Sequence, residues 1–178
     1  MKKCDDIRES IRTIPDFPAP GIMFRDVTTL MKDKEAFGKS CECLLAWAKE
    51  FERIDYVAGI EARGFIYGSV LANGLGAGFI PVRKPGKLPA KVLSIDYQLE
   101  YGKDTVEVHV DAIEADAKYL VVDDLLATGG TAEASCRLIE SGGGIVTGCL
   151  FLVELTDLNG RQKLKSRKVV SILQFEGE

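Results

Sequence analysis

The segment VVDDLLATGG, which runs from Val121 to Gly130, sets two carboxylates against a loop that contains two glycines. Its apolar start at 119–122 predicts a strand, and TAEASCRLIES from Thr131 onward predicts the helix that follows. In parallel sheets, ligands bind at the carboxyl ends of strands, where this loop would lie. Glycines let the backbone approach a ligand closely, and a helix N-terminus favours an anion. The segment therefore indicates an α/β fold with a site for a phosphate monoester.

The paired acids of this segment need a role of their own, because a carboxylate that touched the phosphate would repel it. We expect Asp123 and Asp124 to accept hydrogen bonds from neutral diol hydroxyls near the phosphate, which a phosphorylated ribose would supply. The alternative is that Thr131 only caps the helix, that Gly129 and Gly130 form a plain turn, and that the acids solvate the strand end. That alternative requires strand, acids, glycines and helix to coincide by accident.

The remainder of the chain alternates short apolar runs with helical patterns. The predicted strands are DYVAGI, GFIPVR, VEVHV, YLVVDD, GCLFLVEL and VVSILQF. Helices are predicted at 33–51, at FIYGSVLANG, at TAEASCRLIES and, from the spacing of Ile7, Ile11 and Ile14, at the N-terminus. This alternation predicts an α/β fold with a central, mostly parallel sheet flanked by helices. VEVHV alternates apolar and polar residues, which predicts an edge or half-exposed strand rather than a central one.

Composition limits the classes of function. A chain of 178 residues with 46% apolar and 28% charged content is expected to form one domain over 1–178. The net charge of −4 and pI near 5.2 argue against nucleic acid or an anionic membrane as partner. The five cysteines are odd in number and show no disulfide or zinc spacing, and no export signal is visible, so we expect a reduced, cytoplasmic protein.

Two basic features of the sequence indicate a second anion-binding site, besides the one for the phosphate monoester. Arg63 follows a predicted strand and precedes a predicted helix, where its guanidinium would offer a planar fork for phosphate, although it could instead pair with Glu61 at the surface. Arg83, Lys84, Lys87 and Lys91 stand in a stretch without acids, which suggests a polyanionic ligand or, alternatively, a solvated loop. The segment 84–104 lacks a clear period, so we predict a long flexible loop, either a functional lid or a disordered loop.

Together these motifs resemble the type I phosphoribosyltransferases, and among them the adenine-specific branch. The resemblance rests on VVDDLLATGGTAEA together with FPAPGIMFRDVTTLM, EARGFIYGSVLA, VRKPGKLPAKV and YQLEYGKDTVEVH, in the same motif order from Ile14 to Phe175. It implies transfer of the 5-phosphoribosyl group from phosphoribosyl pyrophosphate to adenine, which gives AMP and pyrophosphate. The nearest alternatives are a xanthine or hypoxanthine enzyme and a non-catalytic sensor of the donor.

The resemblance also implies roles for the donor-binding residues. The 5′-phosphate would be held by Ala127, Thr128, Gly129, Gly130 and Thr131, and the ribose hydroxyls by Asp123 and Asp124. Pyrophosphate would be held by Ala62, Arg63, Gly64, Arg83, Lys84 and Lys87, with Arg63 also catalytic. A non-proline cis peptide is common near the first three of these residues in that family. Mg²⁺, bound mainly through substrate oxygens, is the implied cofactor.

The base-binding roles come from the same resemblance. Residues 1–32 would form the N-terminal helix and a hood, in which Phe24 stacks on adenine while backbone groups of Met23 and Arg25 read its edge. The pattern alone would equally allow Phe24 in the core. Glu100 would act as the general acid/base beside Tyr101 of the same closing loop, although without the resemblance it is an ordinary exposed acid. A homodimer is implied as well, with part of the basic segment reaching the partner.

Overall fold

Nine strands and four α-helices follow one another in the computed structural model, which describes residues 4–98 and 102–177. The elements are β1 (Arg12–Pro15), β2 (Met23–Asp26), α1 (Thr28–Lys32), α2 (Lys34–Ala48), β3 (Tyr56–Ile60), α3 (Gly64–Leu75), β4 (Gly78–Val82), β5 (Val92–Gln98), β6 (Lys103–His109), β7 (Lys118–Leu126), α4 (Gly130–Ser141), β8 (Ile145–Leu155) and β9 (Val169–Phe175). Short 3₁₀ helices lie at Asp5–Ser10, Val110–Ala112, Thr156–Leu158 and Gly160–Leu164.

The central sheet has five parallel strands in the order β4-β3-β7-β8-β9. Along its middle strand, Tyr119 and Val121 enter one buried cluster, whereas Leu120 and Val122 enter the other. Helix α4 covers the first face, and α2 and α3 cover the second. This arrangement confirms the predicted α/β class. Because all five strands are parallel, their carboxyl ends meet at one edge of the sheet.

Helix boundaries follow local signals in the sequence. The Asp33 carboxylate accepts hydrogen bonds from the amides of Glu35 and Ala36, at 2.9 Å each, and so caps α2. That helix ends at Ala48, slightly before its predicted end. Gly142 directly follows the last residue of α4, as predicted. None of the helices within the described ranges is both long and apolar enough to cross a bilayer.

The N-terminal segment differs from the predicted amphipathic helix. A 3₁₀ helix at Asp5–Ser10 gives way to β1, which pairs with β2 in an antiparallel ribbon. Ile7 and Ile11 are buried, as their spacing suggested, but Ile14 belongs to β1. A residue before proline is disfavoured in helical conformation, so Pro15 forces its neighbour into extended backbone.

The segment 84–104, predicted as a loop without regular structure, contains a strand. β5 pairs with β6 in an antiparallel ribbon separate from the central sheet, in which Val92 lies opposite His109. VEVHV overlaps β6, which confirms its predicted exclusion from the middle of the sheet, although Val106 and Val108 are buried against α4 and the core. The prediction of irregular structure is therefore wrong for 92–98 and for 103–104.

Cys4 and Cys43 form a disulfide that joins the N-terminal segment to α2. The expectation that no cysteines pair is therefore wrong. The two residues are 39 positions apart in the sequence, and only the packing of the N-terminal segment on α2 brings them together. Cys41, Cys136 and Cys149 are free thiols.

Candidate active site

The phosphate loop, defined here as residues 127–131, joins the end of β7 to the start of α4. Gly129 precedes the helix with φ +75°, a left-handed conformation that favours glycine. A small cavity of about 80 Å³ is lined by this loop and by nearby residues of β7. β7 continues to Leu126, two residues beyond the predicted strand YLVVDD, so Asp123 and Asp124 lie within the strand and not at its end.

The start of the last 3₁₀ helix supports the phosphate loop from the side. A Cβ added at Gly160 would collide with the carbonyl oxygen of Ala127, and one added at Gly129 would collide with the carbonyl oxygen of Gly160. The two backbone segments are therefore in direct contact, with no room for a side chain between them. The position of the loop depends on the position of Gly160.

An ion pair between the half-buried Arg161 and the buried Glu154 fixes that 3₁₀ helix to the sheet. Arg161 Nε donates to both carboxylate oxygens of Glu154 in β8, at 2.6 and 2.9 Å. The other guanidinium nitrogens donate to the Val169 carbonyl and the Ser171 hydroxyl of β9, at 2.8 Å each. Glu154 is only 3% exposed, and burial alone would raise its pKa, but Arg161 and Ser171 outweigh that effect and lower the pKa.

The two adjacent acids of β7 occupy different surroundings. Asp124 is 2% exposed, and its Oδ2 lies 2.7 Å from Arg63 Nε in an ion pair. Asp123 is half-buried and lines the small cavity of the phosphate loop. Burial, and then the neighbouring Asp124, raise the pKa of Asp123 well above its ordinary value. Burial also raises the pKa of Asp124, although Arg63 opposes that rise.

The loop before α3 rests directly on β7. The peptide bond between Glu61 and Ala62 is cis, and Arg63 comes immediately before the first residue of α3. A Cβ added at Gly64 would lie 2.8 Å from Asp123 Oδ1 and 2.8 Å from the Val122 carbonyl oxygen. This brings the predicted pyrophosphate loop and the predicted ribose-binding strand together. The alternative pairing of Arg63 with Glu61 is not formed.

Basic residues after β4 pair with acidic residues from other parts of the chain. Glu61 Oε2 accepts hydrogen bonds from Arg83 Nε at 3.1 Å and from the Lys84 amide at 3.0 Å. The Lys84 ammonium pairs with the Asp104 carboxylate, whereas Lys87 is exposed. Burial would raise the pKa of Glu61, but the Lys84 amide and Arg83 lower it. Arg83 and Lys84 therefore lie beside the cis peptide.

A cavity of about 500 Å³ lies between the predicted hood and the phosphate loop. It is lined by Ile22, Met23, Thr128, Leu155, Asp157, Leu158 and Gly177. Phe24 is half-buried and packs edge-on against Phe17, with ring centroids 5.1 Å apart. The Arg25 guanidinium donates to the carbonyls of Glu176 and Gly177, at 3.2 Å each. The hood thus closes one side of a cavity that reaches Thr128.

Two predicted residues, Glu100 and Tyr101, lie outside the described residues. The roles predicted for Glu100 and Tyr101 stay predictions. Lys103, at the start of β6, is exposed.

Several residues of this region were not predicted from the sequence. Leu155, Asp157 and Leu158 come at the carboxyl end of β8, and the rule that pointed to the end of β7 would have indicated them too. Gly160 carried no signal of its own, because its importance lies in a contact with Ala127. Tyr97 was also missed; it lies in β5 and contacts both the basic segment and the phosphate loop.

Comparison with known proteins identifies the family. Residues 28–176 match the model of the phosphoribosyl transferase domain family. The chain is 54% identical over 171 residues to the adenine phosphoribosyltransferase of Caldanaerobacter subterraneus subsp. tengcongensis, which covers 96% of this chain and 98% of that relative. The crystal structure of adenine phosphoribosyltransferase from Thermoanaerobacter pseudethanolicus is similar with a TM-score of 0.92 and 52% identity, and the match covers 97% of this chain and 100% of that one.

A third relative has been solved with ligands. The adenine phosphoribosyltransferase of Saccharomyces cerevisiae, complexed with an imino-altritol bisphosphate and adenine, is similar with a TM-score of 0.89 and 37% identity. The match covers 96% of this chain and 98% of that one. By sequence and by fold, the chain belongs to the adenine phosphoribosyltransferases of the type I phosphoribosyltransferase family.

Proposed function

We propose that the protein transfers the 5-phosphoribosyl group from phosphoribosyl pyrophosphate to adenine, which yields AMP and pyrophosphate. The observation that carries this proposal is that the candidate subsites adjoin one another along one edge of the sheet. The loop of Arg63 adjoins Asp123, Asp123 adjoins the phosphate loop, and that loop shares Thr128 with the cavity under the hood. Ribose carries the 5′-phosphate on C5 and exchanges pyrophosphate for the base at C1, so the transfer requires phosphate, pyrophosphate and base sites grouped around one ribose site.

The chemistry follows from the charges at these sites. Displacement at the anomeric carbon passes through a state in which the ribose ring is becoming positive. We propose that Asp123 and Asp124 hold the ribose hydroxyls and place negative charge near that ring. Ala127 to Thr131 would hold the 5′-phosphate, while Ala62, Arg63 and Gly64 with Arg83, Lys84 and Lys87 would receive pyrophosphate. Glu100 is proposed to manage the purine proton, and Tyr101 to close over it.

Mg²⁺ is proposed as the cofactor. Mg²⁺ is commonly bound by one or two carboxylates together with substrate phosphates. The carboxylate of the half-buried Asp123 would supply one such oxygen ligand. Within 4–98 and 102–177, no group of three or more His, Cys, Asp or Glu side chains is placed to hold a metal. When bound, Mg²⁺ would neutralise charge that develops on the leaving pyrophosphate.

Base specificity is tested by a product assay. Protein, Mg²⁺ and labelled donor are incubated with adenine, hypoxanthine or xanthine in parallel, and the nucleotides formed are separated. We expect AMP to form far faster than the other nucleotides. Preferred turnover of hypoxanthine or xanthine would reassign the base, and donor binding without any turnover would support a sensor.

Arg63→Ala is expected to lower kcat by about 10²-fold, because the variant loses a charge-stabilising donor for the leaving group. Steady-state kinetics with varied donor measure the change. Arg53→Ala is the matched control, since Arg53 precedes β3 at the opposite end of the sheet and is 78% exposed. Wild-type kinetics for Arg63→Ala would remove this residue from the reaction.

We also propose a homodimer in the cytoplasm. The exposed apolar residues Ile66 and Val70 on α3, 40% and 39% exposed, support an intersubunit surface next to the pyrophosphate loop. Sedimentation equilibrium of the wild-type protein tests the assembly, and a single species of monomer mass at micromolar concentration would contradict it.

A further inference from the structure

Tyr97 connects the two halves of the donor site. Its side chain is 6% exposed, and its hydroxyl oxygen lies 3.0 Å from Thr131 Oγ1 in the phosphate loop. The same oxygen accepts a hydrogen bond from Lys84 Nζ at 2.9 Å and donates to Asp104 Oδ2 at 3.0 Å. One phenol thus contacts a proposed 5′-phosphate ligand and a proposed pyrophosphate ligand at the same time.

The hydroxyl of Tyr97 has a single proton, and two acceptors compete for it. When that proton goes to Asp104, Thr131 must donate its own proton to Tyr97 and cannot donate to a phosphate oxygen. When Thr131 donates to a phosphate, Tyr97 must turn its proton toward Thr131, and Asp104 then depends more strongly on Lys84. A ligand at Thr131 therefore strengthens the ion pair between Asp104 and Lys84.

We propose that Tyr97 is a positioning residue that makes the phosphate loop and the pyrophosphate segment antagonistic. Occupation of Thr131 by a 5′-phosphate retains Lys84 on Asp104 and so weakens the binding of a separate pyrophosphate. After transfer, the nucleotide product keeps its phosphate while pyrophosphate becomes separate, so this antagonism promotes pyrophosphate release. The inference rests on the proposed function of the site.

Tyr97→Phe removes the hydroxyl and keeps the ring, so it distinguishes the effect of the hydroxyl from that of ring packing. The ring lies against the phosphate loop, since a Cβ added at Gly130 would meet Tyr97 Cδ2 at 3.4 Å, and phenylalanine preserves that contact. In the variant, Asp104 pairs with Lys84 whether or not Thr131 binds a phosphate. The packing is kept and the shared proton is lost.

The test measures one ligand in the presence of the other. The affinity of magnesium pyrophosphate is determined by isothermal titration with and without saturating ribose 5-phosphate, for the wild type, Tyr97→Phe and Asp104→Asn. The ratio of the two affinities is the coupling factor. Tyr56→Phe is the matched control, because Tyr56 begins β3 at the opposite end of the sheet.

We expect ribose 5-phosphate to weaken pyrophosphate binding in the wild type and in Tyr56→Phe. This coupling factor should fall by about 10-fold in Tyr97→Phe and in Asp104→Asn, as expected for one hydrogen bond to a charged group. An unchanged factor in Tyr97→Phe, or equal losses of affinity with and without ribose 5-phosphate, would overturn the role of Tyr97 and leave the proposed function intact. If the wild type bound neither ligand, the proposed function would fail first.

Discussion

Gly160→Ala is expected to lower kcat/KM for phosphoribosyl pyrophosphate by about 10³-fold while the protein remains folded. The added methyl group would collide with the Ala127 carbonyl oxygen and push the phosphate loop out of place. A displacement of about 1 Å in a binding group is enough to reduce a rate by about 10²-fold, and any amide turned away from the 5′-phosphate adds to that loss. The overpacking itself should reduce the free energy of unfolding by about 1–3 kcal/mol.

The measurement combines kinetics with thermal unfolding. Gly38→Ala is the matched control, because no atom lies within 4 Å of an added Cβ at Gly38 in α2. That control should keep wild-type kinetics and gain up to about 1 kcal/mol of stability from the better helix former. A Gly160→Ala variant with unchanged kcat/KM would show that the phosphate loop does not depend on this contact.

Arg161→Met is expected to lower the free energy of unfolding by about 3–5 kcal/mol at pH 7. The substitution removes the guanidinium that donates to both oxygens of the buried Glu154 carboxylate and to two groups of β9. Methionine fills much of the same volume, so the loss comes mainly from a buried charge without its partner. Because Gly160 precedes Arg161, catalysis should fall as well.

The pH dependence of this loss has a defined sign. In the wild type, the pKa of Glu154 is lowered below its ordinary value of 4.5, so its contribution to stability is present above pH 4.5 and is lost as the pH falls through the folded pKa. In Arg161→Met, burial should raise that pKa, so acidification relieves the buried charge. The difference in unfolding free energy between the two proteins should therefore shrink as the pH is lowered from 7 toward 4.5.

Urea unfolding at a series of pH values provides the measurement. Arg53→Met is the control, since Arg53 is 78% exposed and its ion pair with Asp55 should contribute little. A difference between wild type and Arg161→Met that is small at pH 7, or that grows on acidification, would contradict the assigned role of the Glu154 pair.

The central sheet and its crossover helices could be predicted because each strand carries a local signal. Runs such as YLVVDD and GCLFLVEL are apolar on both faces, as buried parallel strands require, and the turns between them are marked by glycine. The phosphate loop was predictable for the same reason, since strand, glycines and helix are contiguous. Its 3₁₀ support was not, because Gly160 acts through a contact between distant segments.

The two clearest failures have different causes. β5 was missed although Leu93, Ile95 and Tyr97 alternate with polar residues, because proline, glycine and lysine just before it suggested an irregular loop. The disulfide was missed because Cys4 and Cys43 are far apart in the sequence and only tertiary packing brings them together. The sequence contains the alternation that predicts β5, whereas no local pattern indicates that Cys4 pairs with Cys43.

Helices α3 and α4 both begin at the edge of the sheet where the donor is proposed to bind. The amino end of each helix carries roughly half a positive elementary charge that arises from the peptide dipoles. Such backbone charge neither titrates nor disappears when a side chain is exchanged. The backbone at this edge therefore favours a bound phosphate group over the whole pH range in which the protein stays folded, by about 0.3–1 kcal/mol for each helix.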